Sequence, residues 1–349
     1  MSVMYIIDQG AHLTKRGNRL VVEKMGNPIQ EVHAFKVDQV VLMGNIQITA
    51  PTIAFLLQEG IDTVFLSFYG KYRGRLVARF GKNILLRKAQ FDRMGDHRFS
   101  LGLAKRYVAG RLQNQRVLLR RHNNELKDEV IRSAIHNIRM MLERIESQES
   151  FDALRGVEGK GTASFFRGFR RAVRVEDMPF KERSRRPPRD PVNVLLSFGY
   201  TLLANVVQTA VDVVGFDPFM GCLHAVDYGR PSLVLDLMEE FRPVLIDSLV
   251  LRVINRGVIT SKDFIRQQDV EPPPPGVELE SPSMEDYPIL LSHVGMKKFI
   301  AQFESRLREK VFYLPTERRI RFREVVLEQA RLLARHVRGE EAYEPYRMR

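Results

Sequence analysis

The hydrophobic period of this chain changes near residue 85, and the change divides it into two kinds of structure. Before it, Val3–Ile7, Arg19–Glu23, Val32–Val37, Val40–Leu42, Ile46–Thr49, Thr63–Leu66 and Leu76–Arg79 are short β-rich runs. Turn formers separate them at Gly17-Asn18, Gly26-Asn27-Pro28, Gly44-Asn45 and Gly70. Such spacing predicts a small sheet sandwich or roll. Ala50–Glu59 is the exception, with helical spacing through Ile53, Leu56 and Leu57 and a stop at Gly60.

After the change the apolar residues recur at helical intervals. Leu101–Arg121 and Glu125–Glu146 each predict an amphipathic helix. The glycine-rich stretch Gly156–Gly161 follows, then an apolar-basic helix through Phe165, Phe166 and Phe169. Asp190-Pro191 pairs an N-cap with a first-turn proline and opens a helix that Gly215 stops. It is apolar on most sides, which predicts a place in the core. Arg230-Pro231-Ser232 opens another helix, to about Asn255. Glu271–Gly276, with four consecutive prolines, reads as a loop or linker. Lys297–Lys310 and Glu317–Arg338 read as two final helices. The fold class is therefore α+β: a small β-rich N-terminal domain at 1–90 and a larger all-α domain at 91–349. A length of 349 residues agrees with that division, at roughly 150 residues per domain.

Charge narrows the function. Lys and Arg number 55 against 42 Asp and Glu, a formal net charge of +13. That surplus favours a polyanionic partner, most often nucleic acid. The single cysteine, Cys222, excludes an intramolecular disulfide and a Cys-rich zinc site. It fits a reducing compartment, and the expectation is cytoplasmic. Met1–Gly10 is too short for a signal peptide and is interrupted by Asp8. No apolar run reaches the roughly 20 residues of a membrane span, so no membrane role is expected.

Three places could carry chemistry. Asp236, Glu239 and Glu240 fall on one helix face among Leu233, Leu235, Leu237, Met238, Phe241 and Leu245. Acids in so apolar a setting need a cation, either a metal or an arginine. Arg230, Arg242 or Arg252 could supply a plain salt bridge. Glu158 sits between Gly156 and Gly159, where glycines could let backbone pack closely round one carboxylate; an exposed flexible loop is the bland alternative. His224 follows a glycine-rich turn and could reach the space of Asp236 and Glu239, although a buried histidine held by a carbonyl is commoner. One imidazole with two or three carboxylates suits Mg²⁺ or Mn²⁺. Directly after Glu158 comes a basic run: Lys160, Arg167, Arg170, Arg171, Arg174, Lys181, Arg183, Arg185, Arg186 and Arg189, opposed by Glu176, Asp177 and Glu182. Beside a metal-ligand candidate in a basic chain, that run points to phosphate binding.

Five segments of the helical half together form a specific pattern. They are Leu154-Arg155-Gly156-Val157-Glu158-Gly159, Gly215-Phe216-Asp217-Pro218, Gly221-Cys222-Leu223-His224, Gly229-Arg230-Pro231-Ser232-Leu233 and Asp236-Leu237-Met238-Glu239-Glu240-Phe241-Arg242-Pro243. With Ile61–Leu66 and Tyr72-Arg73-Gly74-Arg75-Leu76 upstream, the chain resembles the CRISPR-associated integrase and endonuclease family of the adaptation step, the first and near-universal Cas protein. The resemblance spans the chain. It implies a β-rich dimerisation domain, a helical catalytic domain and a homodimer. It implies a divalent ion, Mg²⁺ or Mn²⁺, held by Glu158, His224 and Glu239, with Asp236 matching a further carboxylate; Glu240 is adjacent to Glu239 and stays open as its alternative. It implies foreign DNA and CRISPR-repeat DNA as substrates, and the residues expected to contact that DNA are Lys160, Arg167, Arg170, Arg171, Arg174 and Arg230. It also implies a small second adaptation protein of ferredoxin-like fold as partner. Two rivals remain: a non-catalytic basic scaffold for DNA or RNA, and an unrelated metal-dependent nuclease.

Overall fold

The computed structural model describes residues 2–68, 70, 72–76, 83–184, 188–266 and 289–348. The expected β run beyond Leu76, the basic residues Arg185 and Arg186 and the proline-rich 271–276 lie outside the described residues. The chain forms two compact units, one within the first 80 residues and one holding the described residues from Asn83 onward. The division falls before the expected boundary at 90 because Ile84–Gly95 is already a helix of the second unit.

The first unit holds two four-stranded sheets and one helix. Strands β1 (Val3–Ile6), β5 (Gln39–Met43), β7 (Asp62–Leu66) and β8 (Tyr72–Leu76) form one sheet in the order β1-β5-β7-β8. The first three are parallel and β8 is antiparallel. Helix α1 (Ala50–Gln58) lies on the crossover between β5 and β7, as a parallel pair requires. Every residue of β5 is buried, the run expected of a strand covered on both faces. The second sheet has the order β4-β3-β2-β6, from β2 (His12–Arg16), β3 (Arg19–Lys24), β4 (Asn27–His33) and β6 (Gln47–Ile48). Met4, Ile6, Val40 and Leu42 from the first sheet share a core with Leu13, Leu20 and Val22 from the second and with Phe55 and Leu56 of α1. Strand β2 escapes the sequence pattern because only Leu13 of its five residues is buried. The strand expected at Val32–Val37 instead ends at His33, and Ala34–Lys36 form a 3₁₀ turn. Pro28 looked like a turn residue; it sits in β4, at the sheet edge, where its missing N–H goes unneeded.

The second unit is mainly helical: α2 (Ile84–Gly95), α3 (His97–Leu126), α4 (Glu129–Arg144), α5 (Phe151–Ala172), α6 (Pro191–Val214), α7 (Ser232–Leu237), α8 (Ser248–Asn255), α9 (His293–Arg308) and α10 (Phe322–Arg338). Side-chain caps set the starts. Asp96 accepts from Phe99 N at 2.6 Å, Asp128 from Val130 N at 2.8 Å, and Asp190 from Asn193 N at 2.8 Å. Two short antiparallel pairs were not legible as strands, β9 (Phe264–Arg266) with β10 (Ile289–Leu291) and β11 (Lys310–Tyr313) with β12 (Arg318–Arg321). The second pair moves the last helix start from Glu317 to Phe322.

Glycines 156–161 do not form a loop: α5 runs straight through them. A Cβ on Gly156 or Gly159 would meet nothing within 4 Å, so those two serve no close packing. Gly161 does, since a Cβ there would stand 2.6 Å from Leu112 Cδ2 of α3. The helix expected from Ser232 to Asn255 is interrupted: α7 ends at Leu237, and Arg242–Asp247 form a π segment before α8. Pro243 brings no N–H to that turn, and such π turns concentrate at functional sites. Among the described residues one helix, α6, is long and apolar enough to cross a membrane, which the search for an unbroken apolar run did not reveal; two thirds of its apolar window is buried within the protein, as in a core helix.

Candidate metal centre

Four elements of the helical unit deliver one charged cluster. Close α3–α5 packing at Gly161 and Leu112 sets Arg111 opposite Glu158, and their side chains form an ion pair. The turn after α7 carries Glu239, whose Oε2 lies 2.6 Å from the same Arg111 Nη1. Arg242, at the start of the π segment, places Nε 3.0 Å from Glu239 Oε1. The fourth element is the loop 221–224, which brings His224 Nε2 to 3.8 Å from Glu239 Oε1.

That loop is held by one carboxylate. Asp236 is fully buried. Its Oδ2 accepts from Cys222 N at 2.6 Å and Leu223 N at 3.0 Å, and its Oδ1 accepts from His224 N at 2.9 Å. Oδ1 also lies 2.7 Å from His224 Nδ1. Nδ1 is thereby engaged and Nε2 faces Glu239, the arrangement in which a carboxylate orients a metal-binding imidazole. Gly221 makes the close approach possible: a Cβ there would stand 2.7 Å from Asp236 Oδ2 and 2.6 Å from the Ser232 carbonyl carbon. Both oxygens of Asp236, expected among the ligands, accept from the N–H groups of the loop.

Glu240 is directed elsewhere. It is buried, accepts from Tyr343 Oη at 3.0 Å, and burial pushes its carboxyl well above the usual range. Burial by itself would lower the pKa of Arg111, but Glu239 and Glu158 more than offset it and keep the guanidinium charged. Behind Arg242 lies a further buried pair: Tyr200 Oη donates to Asp247 Oδ1 at 2.5 Å, and the Arg242 guanidinium lies 4.6 Å from the Tyr200 ring centre. Burial raises Asp247 to about 6 despite that hydrogen bond.

Of the expected basic contacts, Lys160, Arg167 and Arg170 are exposed on α5 with no ion pair among the described residues. Arg171 instead pairs with Asp128 at 2.8 Å and Arg174 with Glu125 at 2.7 Å. Arg230 is exposed ahead of α7. Lys160 stands about 200° round the helix from Glu158, so the basic row and the carboxylate occupy different sides of α5. Arg252 pairs with Glu309 rather than with the acids of 236–240. Sequence reasoning missed Arg111, Tyr200 and Asp247. The signal for Arg111 was a cation inside the apolar stripe of α3, between Val108 and Leu112.

Among the described residues no three His, Cys, Asp or Glu side chains form a ready cage for a metal. The donor set nevertheless suits a cation, because one already stands there: Arg111 Nη1 is shared by Glu158 and Glu239. Two carboxylates and an imidazole nitrogen fit Mg²⁺ or Mn²⁺.

The family profile described as CRISPR associated protein Cas1 matches residues 4–304. The CRISPR-associated endonuclease Cas1 3 of Thermus thermophilus is 37% identical over 352 residues, covering 100% of this chain and 98% of the relative. Among solved structures, a casposase bound to integration product superposes with a TM-score of 0.82 at 22% identity, covering 99% of this chain and 93% of that one. A chain of a Cas6-RT-Cas1–Cas2 complex gives 0.80 at 22% identity, covering 100% of this chain and 36% of that longer one. At such identities the two structures speak for the fold alone. The profile and the full-length relative carry the assignment: the chain belongs to the Cas1 family of CRISPR-associated proteins.

Proposed function

We propose that this chain is a divalent-metal-dependent DNA endonuclease and strand-transfer integrase that inserts short foreign DNA into a CRISPR array as new spacers. The observation that supports this reading is that Glu158 and Glu239, from separate elements, share the Arg111 guanidinium, with His224 Nε2 3.8 Å from Glu239 Oε1. The endonuclease name of the Thermus thermophilus relative and the integration product in the casposase structure support it.

Glu158, Glu239 and His224 Nε2 would hold Mg²⁺ or Mn²⁺. The ion, when bound, would polarise the scissile phosphate and offset charge on the attacking and leaving oxygens. Asp236 acts as a positioning residue, fixing the imidazole through Nδ1 and the loop through three N–H groups. The nucleophile is the 3′-hydroxyl of the incoming DNA. Its oxygen bonds to a phosphorus of the repeat backbone as the bond to the repeat's own 3′-oxygen breaks, and no protein-linked intermediate is needed. Water in place of that hydroxyl gives cleavage. The test is joining of a 3′-hydroxyl oligonucleotide to a repeat-containing duplex with Mn²⁺, and its absence with chelator. Cleavage without joining would favour an unrelated nuclease. The scaffold reading draws on Arg111, which satisfies both glutamates internally; metal-independent binding with no chemistry would favour it.

DNA affinity rests on phosphate contacts and falls steeply with salt. Reversal of Lys160, Arg167 and Arg170 to Glu should weaken binding to unrelated duplexes about equally, measured by anisotropy at two salt concentrations. Unchanged affinity would assign that row to another task. A homodimer through the β-rich unit is part of the proposal. Edge strand β4 carries Ile29 half exposed, and Met25 and Phe35 beside it are exposed; such edges are normally covered. Light scattering should report about twice 40.4 kDa, and a monomer mass would contradict it. A ferredoxin-like second adaptation protein is the proposed further partner, supported by the Cas2 in the similar complex; co-elution of the two proteins is the check.

A further inference from the structure

We propose that Arg111 is a built-in counter-ion of the metal centre, which metal and a DNA phosphate displace together, so that the two ligands bind cooperatively. This rests on the reading of Glu158, Glu239 and His224 as the metal site.

The guanidinium takes the oxygens a metal would need. Arg111 Nη1 pairs with Glu158 Oε1 and with Glu239 Oε2, while Arg242 holds Glu239 Oε1. Two carboxylates thus already face two guanidiniums in a setting where the Arg111 side chain is 5% exposed. A divalent ion entering alone would add two positive charges beside guanidiniums already paired with both glutamates in a poorly solvated cluster, an unfavourable step. A backbone phosphate changes that balance. It brings negative charge and offers a guanidinium paired acceptor oxygens. Arg111 also leaves Nε buried without a hydrogen-bond partner while it serves the glutamates. A buried donor left so is costly, and a phosphate would give the displaced guanidinium a fuller set of acceptors. Arg111 therefore moves from the carboxylates to the DNA as the metal takes its place, and each ligand raises the affinity of the other by the same factor.

The test titrates the purified full chain with Mn²⁺, reading free ion by its spin-resonance signal, with and without a short random-sequence duplex. Wild type should bind Mn²⁺ about tenfold or more tightly with DNA present, within the usual range of coupled sites. Arg111→Gln should bind Mn²⁺ more tightly than wild type without DNA and lose most of the coupling. Arg111→Lys, which keeps a charge but lacks the planar fork, should fall between. Equal wild-type affinity with and without DNA overturns the proposal even if the variants misfold. A folded Arg111→Gln that binds Mn²⁺ no more tightly than wild type overturns it as well. Glu158→Gln separates the two layers: it should abolish binding, and binding like wild type would sink the metal-site reading itself.

Discussion

Replacing His224 by alanine is expected to lower both cleavage and joining by a factor of about 10³, the scale of losing a group that stabilises transition-state charge. DNA affinity should stay near wild type. In the proposed site the imidazole is one of three metal donors and lies beside Glu239, whereas Lys160, Arg167 and Arg170 stand apart on the exposed side of α5. Glu158→Ala should lose activity in the same way. Asp236→Asn should be milder, about 10–100-fold, as befits a residue that acts through a ligand. Joining and cleavage assays beside an affinity measurement separate the two effects. A His224→Ala preparation free of wild-type carry-over and still active would remove His224 from the mechanism.

Deletion of residues 340–349 is expected to destabilise the helical unit by about 5 kcal/mol or more, from lost aromatic burial and buried groups left unpaired. The segment follows α10 and folds back over the site-bearing turn. Tyr343 is fully buried, donates to Glu240 and meets the Tyr107 ring at 5.4 Å between centres. Tyr346 stacks on Phe241 at 5.9 Å. Asn114 of α3 donates to the Tyr346 carbonyl at 2.8 Å and accepts from Met348 N at 2.7 Å. Glu240 and Phe241 adjoin Glu239, so the loss should also disturb the metal point, although the segment lies beyond the family match, which ends at 304. Tyr343→Phe, which removes one hydroxyl, should cost about 1–3 kcal/mol. Thermal unfolding of the three chains is the check, and an unchanged transition in the deletion would show the segment to be dispensable.

The β-then-helical order was legible because alternation and helical spacing are local patterns, and Asp190-Pro191 marked the start of α6 to the residue. Local signals failed where tertiary contacts decide. Gly156 and Gly159 argue for a loop by propensity, yet α5 passes through them because Leu154, Val157, Gly161 and Phe165 are buried in a helix packed against α3 and α4. Arg318–Arg321 reads as helix until its pairing with Lys310–Tyr313 is seen. The family pattern pointed to Glu158, His224 and Glu239; in the structure Glu158 and Glu239 share Arg111, and His224 Nε2 lies 3.8 Å from Glu239. It could not assign Asp236 and Glu240, because their roles depend on the 222–224 amides and on Tyr343, residues that sequence spacing does not connect to them. Arg111 was hidden for the same reason, being 47 residues from Glu158 in sequence and its ion-pair partner in space.

Glu158, Glu239 and His224 are proposed to share one divalent ion. The most direct measurement is a crystal structure of the full chain with Mn²⁺ and a short DNA duplex, with the ion located by its anomalous scattering. A single peak is expected about 2.0–2.3 Å from one oxygen of each glutamate and from His224 Nε2, with the Arg111 guanidinium withdrawn from both carboxylates. A structure at saturating Mn²⁺ with no peak there, and with Glu158 and Glu239 still closed on Arg111, would contradict it.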